Sequence, residues 1–221
     1  MASILNETKK FCLGLLNIIY PLECELCSKA LDPYQNFHIC PDCRHNLMEQ
    51  YFHKRHEKKN IYSMFKYDGK IKELLHDFKY KNKPYLAYDF AYMLTWFIKK
   101  ITKIDKIELV TCVPLHSVKL KERFYNQSAL VAKFVAKNLE IKFSSDVLIK
   151  TKATQSQVKL PRIKRFTNIQ GTFKADSSKV DEKTILLIDD IITTSSTINE
   201  CIKKLKEADA SEVIAVSIAG T

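Results

Sequence analysis

Two stretches of this 221-residue chain carry side chains at spacings that do chemistry. Near the start, Cys24-x2-Cys27 and Cys40-x2-Cys43 are separated by twelve residues, the spacing of a four-thiolate zinc site in which each pair clamps the ion from a tight turn. Seven cysteines placed at random would make only about 0.2 such pairs. Two redox dithiols or disulfides are the alternative, although no thioredoxin-like pattern surrounds them. Four thiolates leave no open coordination position, so a zinc ion here is structural. Near the end, Ile185-Leu-Leu-Ile-Asp-Asp-Ile-Ile-Thr-Thr-Ser-Ser-Thr197 runs an apolar strand into Asp189 and Asp190, then into a hydroxyl-rich turn, Thr193 to Thr197, that opens a helix. Backbone N–H groups at a helix start, with short hydroxyl side chains, cradle a phosphate. Two carboxylates beside that cradle suit the vicinal hydroxyls of a ribose. A sugar phosphate fits, with Mg²⁺ if the ligand also carries pyrophosphate. A buried strand followed by an ordinary Thr/Ser-capped helix, with acids near its dipole, is the alternative.

The elements that must position these residues follow from periodicity. Ile61 to Tyr67 alternates as a strand and Asp68-Gly69 turns it. Lys70 to Tyr80 reads as a helix with Ile71, Leu74, Leu75 and Phe78 on one side, and Tyr85 to Lys100 as a second with Leu86, Phe90, Leu94 and Phe97. Tyr85, Tyr88 and Tyr92 form a neighbouring stripe that either packs or stacks bases. Ile107 to Val113 is a buried strand closed by Pro114, and Asn126 caps a helix bearing Leu130, Val131, Phe134, Val135 and Leu139. Val147 to Ile149 makes a short strand, and Thr151 to Gln170, polar and weakly periodic, a mobile loop. Ile198, Cys201, Ile202 and Leu205 mark a helix after the acidic run, and Val213 to Ile218 a last strand. Strands alternating with helices imply an α/β fold: a mostly parallel sheet flanked by helices, with ligands at the strand carboxyl ends. Cys12, Cys112 and Cys201 fall in apolar patterns and read as core; His38 and His45 are surplus to the ligand set.

Composition narrows the partners. The four glycines are too scattered for a Rossmann fingerprint or a Walker loop. Residues 61–170 carry 22 basic and 9 acidic side chains, whereas 1–60 carry 8 and 7, and 171–221 carry 6 and 9. The middle thus carries more than the whole net charge of +11, as on a surface that meets a polyanion, or as lysines scattered over a solvated face. No run reaches the roughly 18 apolar residues of a membrane span. Phe11, Leu15, Leu16 and Ile19 line one face of a short N-terminal helix that docks on the main domain or on a membrane surface. The basic connector Tyr51 to Asn60 separates an N-terminal helix and zinc module, 1–55, from a main domain, 56–221.

Ile185 to Thr197 resembles the 5-phosphoribosyl-1-pyrophosphate (PRPP) motif of type I phosphoribosyltransferases, departing from it at Ser195, where that family most often has glycine. Taken with Val110-Thr-Cys-Val-Pro114, Arg123-Phe-Tyr-Asn-Gln127, Gln157-x2-Leu160, Arg165-x2-Asn168 and the four cysteines, the order of elements resembles the ComF family of competence-associated proteins. That family favours Arg-Gly-Phe before its Asn-Gln, whereas here Arg123 precedes Phe124-Tyr125. The resemblance implies a type I phosphoribosyltransferase-like domain with a small N-terminal four-cysteine zinc module. It implies a cytoplasmic role in natural transformation, with single-stranded DNA handled at the inner face of the membrane. A helicase-like competence protein and a DNA-processing protein are the implied partners, with Zn²⁺ as structural metal and Mg²⁺ accompanying PRPP. On the same grounds Asp189 and Asp190 would hold the ribose; Thr193, Thr194, Ser195, Ser196 and Thr197 the 5′-phosphate; and the loop through Pro114, Leu115 and His116 the pyrophosphate. Arg123 and the cluster Lys159, Arg162, Lys164 and Arg165 are the candidate DNA contacts. The alternative is an active transferase passing ribose 5-phosphate from PRPP to an unidentified nucleophile.

Overall fold

The computed structural model describes residues 20–52, 54–56, 60–152 and 171–221. The N-terminal stripe Phe11 to Ile19, Cys12, and the cluster Lys159, Arg162, Lys164 and Arg165 lie outside them. The chain divides into two compact units between residues 50 and 51. The division precedes the polar connector because the described residues of that connector already pair with the sheet. The N–H of Phe52 donates to the Met64 carbonyl at 2.8 Å, and β1 (Lys54–Arg55) pairs antiparallel with β2 (Ile61–Lys66).

The first unit is organised by its cysteines. Ser28 N–H donates to the Cys24 carbonyl, closing a turn around the first pair with Ser28 at positive φ, and Cys40 caps α1 (Pro41–Glu49). Leu31, Ile39 and Leu47 are the buried aliphatic residues among those described here, too few to hold the unit together by burial alone.

In the second unit, α2 (Gly69–Tyr80) buries the four apolar residues its spacing marks, and α3 (Leu86–Ile101) is buried on most of its circumference. After β3 (Leu109–Cys112) come a short helix α4 (Ser117–Arg123), which the periodicity did not announce, and α5 (Gln127–Leu139), capped by the Asn126 side chain. Tyr88 stacks on Phe134 of α5 with ring centroids 4.0 Å apart, so the tyrosine stripe is packing at its centre. An antiparallel pair follows, β4 (Leu148–Lys150) with β5 (Phe173–Ala175), and then the four-residue α6 (Ser177–Val180). Finally β6 (Thr184–Ile192), α7 (Ser196–Glu207) and β7 (Glu212–Gly220) complete the sheet, whose order is β1-β2-β7-β6-β3 with every pair parallel except β1 with β2.

The chain leaves β3 and β6 in opposite directions. From β3 it runs through α5 to Phe143, which bridges Val110 on the side of β3 away from β6. From β6 it runs through α7 to β7. Right-handed crossovers in opposite directions place their helices on opposite faces. Accordingly, Ile198, Cys201 and Leu205 of α7 cluster with Ile61, Ile185, Leu187, Val213 and Ala215, while α5 packs on α3 and on the strands from the other side. The carboxyl ends of β3 and β6 thus form a topological switch point, where open parallel sheets hold their ligands. Among the described residues no helix is long and apolar enough to cross a membrane.

Candidate functional site

The loops that leave this switch point carry the sequence-marked residues. Val113 N–H donates to the Ile188 carbonyl at 3.0 Å, tying the end of β3 beside that of β6. The Asn126 side chain accepts from Ala129 N–H at 3.3 Å and donates to the Val113 carbonyl at 3.0 Å, so one residue both caps α5 and holds the Pro114 to His116 loop at its root. His116 caps α4, its Nδ1 accepting from Val118 N–H. The three loop residues are half-buried.

β6 continues two residues past the acids, through Ile191 and Ile192, so Asp189 and Asp190 stand within the strand rather than at its tip. Pairing with β7 as far as Gly220 extends it. Thr193 and Thr194 then lead to Ser195, whose backbone is left-handed at φ +55°, and α7 starts at Ser196. Thr194 Oγ1 and Ser196 Oγ are 3.1 Å apart. Asp189 and the run Ile191 to Ile198 enclose a small hollow of about 40 Å³. The first-turn N–H groups of a helix lack intrahelical acceptors, so this hollow presents donors and a positive dipole end to an anion.

The two carboxylates live in different surroundings. Asp189 Oδ1 accepts from Ser128 Oγ at 3.0 Å and from Asp190 N–H at 2.9 Å. Burial, with the adjacent Asp190 charge, pushes its pKa up to about 7. Asp190 Oδ2 instead meets Lys79 Nζ at 2.9 Å in a pair that is largely shielded from solvent. Lys79 and Ser128 were not singled out from the sequence. Lys79 lies near the end of the helix read over Lys70 to Tyr80 and Ser128 one residue past the Asn-Gln pair, and nothing local ties either to Asp189 or Asp190. Arg123, at the end of α4, donates to Gln127 Oε1 at 3.3 Å and to Tyr80 Oη at 3.2 Å. Cys112 and Cys201 are buried; desolvation, then Asp189, raises the first to about 12 and the second well above its ordinary value, which removes both as nucleophiles.

Both positions at which the sequence departs from its resembled motifs are left-handed. Ser195 stands at φ +55° and Phe124, the C-cap of α4, at φ +64°. These conformations favour glycine because a Cβ crowds the backbone there.

In the first unit, the Sγ atoms of Cys24, Cys27, Cys40 and Cys43 all lie within 4.8 Å of one another, Cys27 to Cys40 being 3.7 Å. Sulfurs about 2.3 Å from a tetrahedral ion stand roughly 3.8 Å apart, so the donor set fits a thiolate-bound metal ion such as zinc. Against the opposing effect of burial, N–H donors from Cys40, Leu26 and Cys27 pull Cys24 down to about 7. Burial and the neighbouring thiols drive Cys43 up. A cation is what lets all four ionise together. Sulfurs from both pairs converge on one point, as ligands of a shared ion do. His45 faces Glu49 at 3.2 Å on the helix exterior, apart from that cluster's ligand set.

Residues 126–220 match the model of the phosphoribosyl transferase domain. Over 224 residues, 96% of either chain, the sequence is 26% identical to competence protein F of Haemophilus influenzae. It is 23% identical over 199 residues, 86% of either chain, to the DNA utilization protein YhgH of Escherichia coli K12. The chain is similar to ComF-type, phosphoribosyltransferase-like proteins along most of its length. Among solved structures, an allosteric regulatory enzyme of purine biosynthesis superposes with a TM-score of 0.44 at 18% identity, over 65% of this chain and 30% of that one. Adenine phosphoribosyl transferase from Trypanosoma brucei gives 0.43 at 13% identity, over 77% and 75%. The chain carries a type I phosphoribosyltransferase-like fold, with a mostly parallel sheet flanked by helices, and an N-terminal four-cysteine cluster.

Proposed function

We propose that this ComF-type chain is a DNA-uptake factor of natural transformation that binds PRPP at the switch point and single-stranded DNA on its basic middle. The observation that carries the reading is the end of β6: two acids, one buried and one paired with Lys79, opening into a hydroxyl loop and a helix start. The amides and hydroxyls of Thr193 to Thr197 take the 5′-phosphate, Asp189 and Asp190 the ribose hydroxyls, and the Pro114 to His116 loop the pyrophosphate. Mg²⁺ accompanies the pyrophosphate. Zinc occupies the four cysteines and holds the first unit together. The names of the relatives, competence and DNA utilization, together with the 22 basic residues of the middle segment, support the DNA role. The chain acts inside the cell, at the inner face of the membrane that incoming DNA crosses, where helicase-like and DNA-processing partners receive the strand. Lys159, Arg162, Lys164 and Arg165 are proposed contacts to DNA phosphates.

The test is calorimetric titration of the zinc-loaded protein with PRPP and Mg²⁺, with Asp190→Asn as control. Saturable binding that the variant loses supports the reading. Absence of binding by the wild-type protein removes PRPP from it and leaves the fold as a scaffold for DNA.

A further inference from the structure

Beside the phosphoribosyl site lies a pocket of about 290 Å³, roughly seven times the volume of the phosphate hollow. Three cations, Lys79, Lys119 and Arg123, line it against one acid, Glu122. Burial and the nearby Arg123 charge lower the pKa of Lys119, so an anion entering here would relieve a repulsion already built in. Two aromatic residues complete the wall, Tyr80 at 60% exposure and Phe124 at 83%. Arg123 lies over the Tyr80 ring, its Cζ 5.1 Å from the centroid, and donates to Tyr80 Oη, so the guanidinium is held at the pocket wall.

Phe124 is the informative residue. Its backbone sits at φ +64°, where a phenylalanine is strained and glycine is at ease. Its ring is almost wholly in solvent, so burial does not offset that strain. Neither local conformation nor core packing accounts for a large aromatic side chain here, whereas strained backbone and an exposed ring at the lip of a cationic pocket suit a ligand contact.

We infer that this pocket seats one nucleotide of a DNA single strand, its base stacked on Phe124 and its phosphate held by Lys119 and Arg123. The inference rests on the single-stranded-DNA reading above and gives the strand a point of entry next to Asp190, which Lys79 connects to the pocket. Stacking on an aromatic face is tolerant of base identity because every base has a π face. Charge complementarity and ring geometry are both matched by a phosphate-linked base; an acidic peptide would use the cations and leave the Phe124 ring bare.

The experiment is fluorescence anisotropy of a labelled oligo-dT with the zinc-loaded full chain, over a salt series. Phe124→Gly keeps the left-handed backbone and removes only the ring; it should weaken binding roughly 5- to 100-fold with an unchanged salt slope. Phe124→Trp should restore it. Arg123→Gln should weaken binding and flatten the salt slope by about 0.7. Photo-cross-linking of an oligo-dT carrying 5-iododeoxyuridine to the wild-type chain gives a second readout, expected in the peptides bearing Tyr80 and Phe124. Equal affinity of wild type and Phe124→Gly, with cross-links elsewhere, would overturn the pocket assignment and leave the DNA reading standing. No oligo-dT binding by the wild type would overturn both.

Discussion

Lys79 Nζ, in the last turn of α2, lies 2.9 Å from Asp190 Oδ2 on β6, and the two side chains are 14% and 13% exposed. Separated by 111 positions in the chain, they form a contact through which the basic wall of the larger pocket reaches the acidic pair. A pair this shielded is costly to break from one side, because the remaining charge stays desolvated. Lys79→Met should therefore destabilise the fold by about 2 kcal/mol, more than its apolar replacement volume would suggest. Adding Asp190→Asn should recover part of that loss. A double-mutant cycle in urea measures the coupling, and strictly additive effects would remove the pair's energetic role.

Asp189 makes stability depend on pH. Burial and the Asp190 charge raise its folded-state pKa from 3.8 to about 7, so between those values the folded chain holds a proton that the unfolded chain has released. The free energy of unfolding consequently falls as pH rises through that window. From pH 5 to pH 8 the wild type should lose about 2–3 kcal/mol relative to Asp189→Asn, which has no such proton. Urea denaturation of both proteins at the two pH values decides it; parallel behaviour would sink the prediction.

Ser195 offers a gain. At φ +55° a serine carries backbone strain that glycine relieves, offset in part by glycine's freedom in the unfolded chain. Ser195→Gly should raise stability by about 0.5–1 kcal/mol and let a phosphate approach the loop more closely. Thermal denaturation with and without PRPP reports both, the ligand-induced shift in Tm being expected to increase in the variant.

The four cysteines set a different dependence. With few buried aliphatic residues in residues 20–50, a metal ion held by the four cysteines would be the main constraint on the first unit. Chelation should release one metal ion per chain and abolish amide protection in residues 20–50, while protection in β6 and β7 persists. Hydrogen exchange followed by mass spectrometry separates the units. A single cooperative loss across the whole chain would show that the sheet depends on the metal too.

What could be read from the residues in order was whatever is local in the chain. The cysteine pairs are a spacing, and Asp189 to Thr197 is a run in which an apolar strand, two acids and a helix start follow one another. Helices α2, α3 and α5 announced themselves because one face of each is apolar over three or more turns. The seven-residue α4 has no buried residue and so left no such trace, and β6 ran past its acids because β7, not its own composition, extends it. Tertiary structure alone decided the partners of the two carboxylates. Ser128 and Lys79 reach Asp189 and Asp190 from helices 61 and 111 positions away, since the crossovers from β3 and β6 run in opposite directions and open a crevice between them. It alone also showed that Phe124 and Ser195 stand at positive φ: backbone angle is imposed by how a helix must end or begin against the sheet, and no side chain on its own reveals it.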